Sequence, residues 1–189
     1  MTLSLGYRGQ AREGSIAEAA AIAIRRATPA DADDLARIGR ETFAETFGHL
    51  YPPEDLESFL AASHAPSLYA ELAGDAAHGL WIATRDGRAV AYAMAGPCGL
   101  PHPDVTAVCG ELHRLYVRRE AQGSGLGVKL LELALGWLER PGRRLWIGVW
   151  SENVGAQRLY ARYGFARVGA YEFKVGASRD HEFILSRPG

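Results

Sequence analysis

Cysteine is scarce: Cys98 and Cys109 are the only two in 189 residues. Two thiols make no disulfide framework, and neither has a second ligand at zinc-site spacing. They read as small semi-apolar residues of a reduced protein. The six histidines form no HxH or HxxxH pair, so no metal site is expected. No apolar run approaches the roughly 18–20 residues that span a bilayer. The opening, residues 1–15, lacks a basic segment followed by an apolar stretch, so a cytoplasmic protein without a membrane partner is expected. An excess of one charge is also missing. A formal net charge of −1 removes any general electrostatic reason to expect nucleic acid as a partner.

What is present is the pattern of one globular domain over 21–189, preceded by an aperiodic extension, 1–20, expected to be mobile. A short strand is expected at 21–26. Thr28-Pro29-Ala30-Asp31 supplies the turn and cap residues for a helix running to Phe47, with Leu35, Ile38, Thr42 and Phe43 on its buried face. Short helices follow at 54–63 and 67–73. The period then changes to that of strands, at 80–84 and 89–95, joined by Arg85-Asp86-Gly87-Arg88 as a hairpin turn. A loop covers 96–104, and 106–117 reads as one long strand.

The segment 126–140 is a helix with a narrow polar stripe of Lys129, Glu132, Glu139 and Arg140. Its wide apolar arc, including Leu133 and Trp137, suits a helix lying on a sheet. The run 145–150 has little polar alternation, as a strand covered on both faces would. A helix at 154–163 and strands at 165–174 and 181–185 complete an α/β or α+β chain with a mixed sheet.

The densest chemical signal is Gln122-Gly123-Ser124-Gly125-Leu126-Gly127, between a strand and a helix. Glycines let the backbone approach a ligand and turn successive amides into one concavity. The helix start adds orphan donors and a positive dipole end, so the turn is a cradle for phosphate or pyrophosphate. A P-loop would need GxxxxGK followed by Ser or Thr, which Gly127-Val128-Lys129-Leu130 does not provide. The dinucleotide pattern GxGxxG fails at Val128. The pattern that fits is Q-x-x-G-x-G.

Flanking stretches extend this match. Glu111-Leu112-His113-Arg114-Leu115-Tyr116-Val117 precedes the turn. Asn153-Val154-Gly155-Ala156, Leu159-Tyr160 and Tyr163-Gly164-Phe165 follow it. In that order and spacing the chain resembles the GNAT superfamily of N-acetyltransferases. It is nearest to the PaiA-type spermine/spermidine acetyltransferases, with which Glu41-Thr42-Phe43, Glu45-Thr46-Phe47 and the Trp146-Ile147-Gly148 region also look shared. The resemblance implies an α+β fold in α/β/α layers: a twisted, mostly antiparallel mixed sheet with a splayed parallel strand pair and flanking helices.

It also implies acetyl-CoA as co-substrate, without metal, and direct attack of a primary amine on the thioester. Gln122, Gly123, Ser124, Gly125, Leu126 and Gly127 would hold the pyrophosphate. The backbone of Leu115, Tyr116 and Val117 would pair with the pantetheine arm, with a bulge there leaving an oxyanion donor free, and Asn153 would bind the arm or cap the next helix. Tyr160 would protonate the departing thiolate. Glu111 would take the amine proton, with His113 on the same strand face and Glu152 as reserves; Gly148 stands where other members carry a strand glutamate. Glu41 and Glu45, on helices that roof the acceptor site in this fold, would receive a polycation. Arg114, Arg118 and Arg119 would neighbour the coenzyme phosphates. The expected partner is a small-molecule or peptide amine, bound by a monomer or homodimer. Other acceptors (a protein N-terminus, an amino acid, an aminoglycoside) and a non-catalytic acyl-CoA-binding module stay open at this point.

Overall fold

A computed structural model of the chain describes residues 22–189; the expected extension at 1–20 lies outside the described residues. Seven strands form one sheet in the order β1-β2-β3-β4-β5-β7-β6. They are β1 (Ile22–Arg26), β2 (Gly79–Arg85), β3 (Arg88–Pro97), β4 (Gly110–Val117), β5 (Arg144–Trp150), β6 (Ala166–Val175) and β7 (Ser178–Pro188). Helices α1 (Ala32–Phe47), α2 (Pro53–Ser63) and α3 (Pro66–Gly74) join β1 to β2; α4 (Leu126–Leu138) and α5 (Val154–Arg162) flank β5 in sequence. Every neighbouring pair is antiparallel except β4 and β5.

Strand alternation builds the three layers. Leu80, Ile82, Tyr92 and Met94 of β2 and β3 pack with Leu35 and Ile38 of α1 and Tyr69 of α3. Trp81, Ala83, Ala91, Ala93 and Ala95 point the other way, onto Leu130, Leu131, Ala134 and Leu138 of α4. The period of two in a strand makes this division automatic. Small alanines on one face let the leucine-rich helix sit close. Leu130, Leu131 and Leu138 are fully buried there, each contributing roughly 1.5–3 kcal/mol of transfer free energy. Leu133, placed by its sequence in the apolar arc, is instead 42% exposed. It follows Glu132 on the solvent side, so the arc is narrower than composition implied.

The β2–β3 hairpin turns through Asp86 and Gly87, both at positive φ (52° and 75°), as a two-residue turn matched to strand twist requires. The strand expected from residue 106 begins only at Gly110. Residues 98–109 form a loop whose Cys98 amide donates to the Cys109 carbonyl oxygen at 3.2 Å. Its Pro101 and Pro103 supply no amide to a ladder.

The feature that makes a site is the brevity of the parallel ladder. Gly110, Glu111 and Leu112 pair with Leu145, Trp146 and Ile147, and pairing between β4 and β5 ends there. On its other edge β4 stays paired to β3 as far as Val117. Between Met94↔Arg114 and Ala95↔Leu112, His113 is left without an opposite residue. A bulge bends and twists its strand, and this one lies where β4 parts from β5. It therefore falls at residue 113 rather than at 115–117.

Candidate active site

The parting of β4 and β5 opens a cavity of about 330 Å³, walled by Leu115, Tyr116, Val149, Trp150, Asn153 and Tyr160 together with residues of α1, α2, β6 and β7. Along 115–117 one backbone edge is used by β3 and the other faces the gap. An extended amide chain could add there as a further strand.

At the end of β4 the glycine turn has the geometry its composition calls for. Gly123 and Gly125 adopt positive φ, 74° and 79°, and a Cβ at either would meet nothing within 4 Å. Gln122 ties the turn back to β4 through its side-chain amide, which donates to the Val117 carbonyl oxygen at 3.0 Å. The Ser124 hydroxyl donates to the Ala121 carbonyl oxygen at 2.6 Å. The amides of residues 123–128 find no acceptor among the described residues. Unpaired donors at the start of the 13-residue α4 are what a diphosphate would satisfy. The turn lies beyond the cavity wall, reached along the strand edge, so a long ligand could occupy both.

Tyr160 is 7% exposed and lines the cavity. Burial, with Tyr116 nearby, pushes its phenol well above the ordinary value, so the hydroxyl keeps its proton. Asn153 accepts from the Ala156 amide at 3.0 Å as the N-cap of α5 and also lines the cavity. Glu111 is 8% exposed; its Oε2 accepts from the Gly99 amide at 2.8 Å, and its Oε1 lies 3.4 Å from His113 Nδ1. His113 Nε2 is buried without a partner.

Tyr160, Glu111, His113, Leu115, Tyr116 and Asn153 are thus gathered on one cavity, while Val117 and residues 122–127 continue along its strand edge. Glu41 and Glu45 are not on its wall. Glu41 is paired with the buried Arg118, and Glu45 is exposed on α1. Arg114 also differs from expectation. Arg114 donates to the Tyr69 hydroxyl (2.8 Å) and the Ser63 carbonyl oxygen (2.9 Å), away from the glycine turn.

Among the wall residues, Phe59, Asp180 and Glu182 carry no sequence signal for the site, whereas Phe43 and Phe47 lie in the stretches that look shared with the PaiA-type enzymes. Phe43, Phe47 and Phe59 of α1 and α2 form an aromatic side, with Phe47 edge-on to Trp150 at 5.4 Å. Asp180 and Glu182 enter from β7. Tyr51 donates to Asp180, and Tyr171 donates to Glu182 Oε2 at 2.6 Å. Gly148 was the one available hint, since glycine inside an apolar strand marks a close approach. A Cβ there would lie 3.1 Å from Tyr171 Oη and 3.3 Å from Glu182 Oε2.

A model of the acetyltransferase (GNAT) family matches residues 38–165. The chain belongs to this family. An uncharacterised N-acetyltransferase of Lactobacillus delbrueckii subsp. lactis is 32% identical over 163 residues, 83% of this chain and 91% of that one. A probable spermine N(1)-acetyltransferase of Bacillus subtilis subsp. natto is 33% identical over 64 residues, 33% of this chain and 42% of that one. Among solved structures, the PaiA N-acetyltransferase of Thermoplasma acidophilum in complex with coenzyme A superposes with a TM-score of 0.70 at 20% identity. That match covers 89% of this chain and 99% of the other. The GNAT fold is therefore present, and the chain is an N-acetyltransferase. Acetyl-CoA fits its open donors and strand edge. Among the described residues no cluster of His, Cys, Asp or Glu could hold a metal ion, and no helix is long and apolar enough to cross a membrane.

Proposed function

We propose that the enzyme acetylates a primary amine of a polyamine, such as spermidine or spermine, by direct attack with both substrates bound. The observation that carries this reading is the sign of the cavity wall: Glu111, Asp180 and Glu182 line it against the single cation Arg114, whose guanidinium is held by Tyr69 and Ser63. Carboxylates attract an ammonium ion, and aromatic walls suit the methylene segments between amines and the cations themselves. The partial similarity to a probable spermine acetyltransferase supports the same acceptor.

In this reading the amides of residues 123–128 hold the pyrophosphate and the edge of 115–117 holds the pantetheine arm. The reacting carbonyl then lies beside the bulge at His113. Two tasks remain for side chains. Tyr160 gives its proton to the departing thiolate. The proton acceptor is one of the cavity carboxylates, Glu111 beside His113 on β4 or those of β7. Orientation alone supplies several kcal/mol, about 7–11 in ideal cases. A thiol-release assay over an amine panel tests the acceptor: kcat/KM for spermidine and spermine should exceed that for amino acids, an aminoglycoside and peptide N-termini by at least about tenfold, the effect of 1.4 kcal/mol. A peptide or aminoglycoside as the preferred acceptor would overturn it.

A further inference from the structure

We propose that Glu182 of β7 is the catalytic base: its carboxylate receives the acceptor's ammonium and takes the proton that the nitrogen must lose before it attacks. This rests on the acetyl-transfer reading above and deepens it.

Position comes first. Glu182 pairs in register with Trp150, and Gly148 pairs with Ile184, so the carboxylate stands over the end of β5 that no longer pairs with β4. Because residue 148 has no side chain, Glu182 Oε2 and the Tyr171 hydroxyl come within 3.3 and 3.1 Å of the point a Cβ would fill. A carboxylate from the neighbouring strand thus comes to lie over Gly148 of β5, on the cavity that Tyr160 also lines.

Availability comes second. Tyr171 is the one donor that reaches Glu182 among the described residues, and it binds Oε2. No Lys, Arg or His pairs with the carboxylate there. Glu111 is differently placed. Its Oε2 is committed to the Gly99 amide and its Oε1 faces His113, which makes it an anchor for the loop at 98–109.

Electrostatics agree with position. Burial raises the Glu182 carboxyl above the usual range, Asp180 and Glu111 raise it further, and the Tyr171 hydrogen bond opposes them. The other groups facing the cavity are the phenols of Tyr51 and Tyr116, the His113 ring, the His64 ring, which burial pushes down and keeps neutral, and the committed Arg114. None offers Glu182 a free positive charge, so an incoming ammonium is its natural counter-ion. A base whose affinity for protons is lifted toward working pH is also a more effective acceptor.

The step balances. The ammonium gives one proton to Glu182, and the freed lone pair bonds to the thioester carbonyl carbon. The carbon–sulfur bond breaks, and sulfur takes the Tyr160 proton. The nitrogen's second proton restores the Tyr160 hydroxyl, and Glu182 releases its proton to water as product leaves.

The test compares Glu182→Gln, Glu182→Asp, Glu111→Gln and Tyr171→Phe with the wild-type enzyme. Read out are kcat/KM for spermidine against pH, the acetyl-CoA Kd and the melting temperature. Glu182→Gln should lose roughly 100-fold or more in kcat/KM, together with the acid-side limb of the profile, at an unchanged acetyl-CoA Kd. Glu182→Asp should keep that limb, Tyr171→Phe should move it to higher pH, and Glu111→Gln should keep it but move it to lower pH, because the Glu111 charge helps to raise the Glu182 carboxyl. The proposal is overturned if Glu182→Gln stays within a few-fold of wild type with its limb intact, or if only Glu111→Gln removes the limb. A wild-type enzyme that binds acetyl-CoA yet acetylates no amine would instead overturn the reading beneath it.

Discussion

Tyr160 is placed by a short helix whose cap, Asn153, shares the same cavity, so the donor's position depends on one side-chain bond to the Ala156 amide. Tyr160→Phe removes a proton and little volume. The expected result is a kcat lower by roughly 100-fold at an unchanged acetyl-CoA Kd, measured by thiol release and titration calorimetry; an unaltered kcat would remove the tyrosine from the mechanism. Glu182 has a stability consequence of opposite sign. Its folded-state carboxyl is raised, mainly by burial, so the folded chain holds that proton more tightly than the unfolded one. As pH rises through the raised value, the ionised group burdens the fold. Glu182→Gln should therefore melt higher than wild type at pH 8, and the difference should close toward pH 4, below which both forms are neutral. His64 behaves as a buried neutral ring, 1% exposed and pushed down to about 3 by burial, then by Arg114 and Arg40. The unfolded chain takes up this proton near pH 6.5, so stability declines as pH falls from there toward 3. Urea midpoints between pH 7 and 5 should fall in wild type and fall less in His64→Gln.

At the scale of elements, the glycine turn and α4 work as one unit. Gly125 is the N-cap of α4 at φ 79°, where a side chain costs roughly 1–2 kcal/mol even in open space. Gly125→Val should raise the acetyl-CoA Kd at least about tenfold, by calorimetry, with a smaller loss of melting temperature; unchanged affinity would contradict the cradle. This element was legible in sequence because its chemistry is local: positive φ, free amides and a helix start all lie within a few residues. The same holds for the 86–87 turn and the two-faced burial of β5. The bulge at His113 was misplaced because it depends on how β4 pairs with β3. The late start of β4 reflects a loop tied by Glu111 and Gly99, a tertiary bond. Asp180 and Glu182 were invisible for a related reason. Along β7 they alternate with His181 and Phe183 as any half-exposed strand would, and only the neighbouring gap turns them into a wall.

For the whole molecule, the sheet order brings β4, β5 and β7 side by side, so one cavity collects the Tyr160 phenol from α5 and carboxylates from two strands. The roof is fastened to the floor by specific contacts: the Asp55 carboxylate of α2 accepts from the Ala177 amide at 3.0 Å, and Phe59 packs edge-on to Phe173 of β6 at 5.6 Å. Two of the acidic residues near the first helices serve the fold in this way, Asp55 at the hairpin and Glu41 with Arg118. In the proposed reading the acceptor's charge meets the β7 wall instead, which no reading of helix faces could anticipate. The most direct test of this arrangement is the electron density of crystals soaked with acetyl-CoA. Pyrophosphate oxygens should sit within hydrogen-bond distance of the amides of residues 123–128, and the thioester should lie between Leu115 and Tyr160 with Glu182 facing it across the gap. Coenzyme bound elsewhere, or a thioester turned away from the cavity, would contradict it.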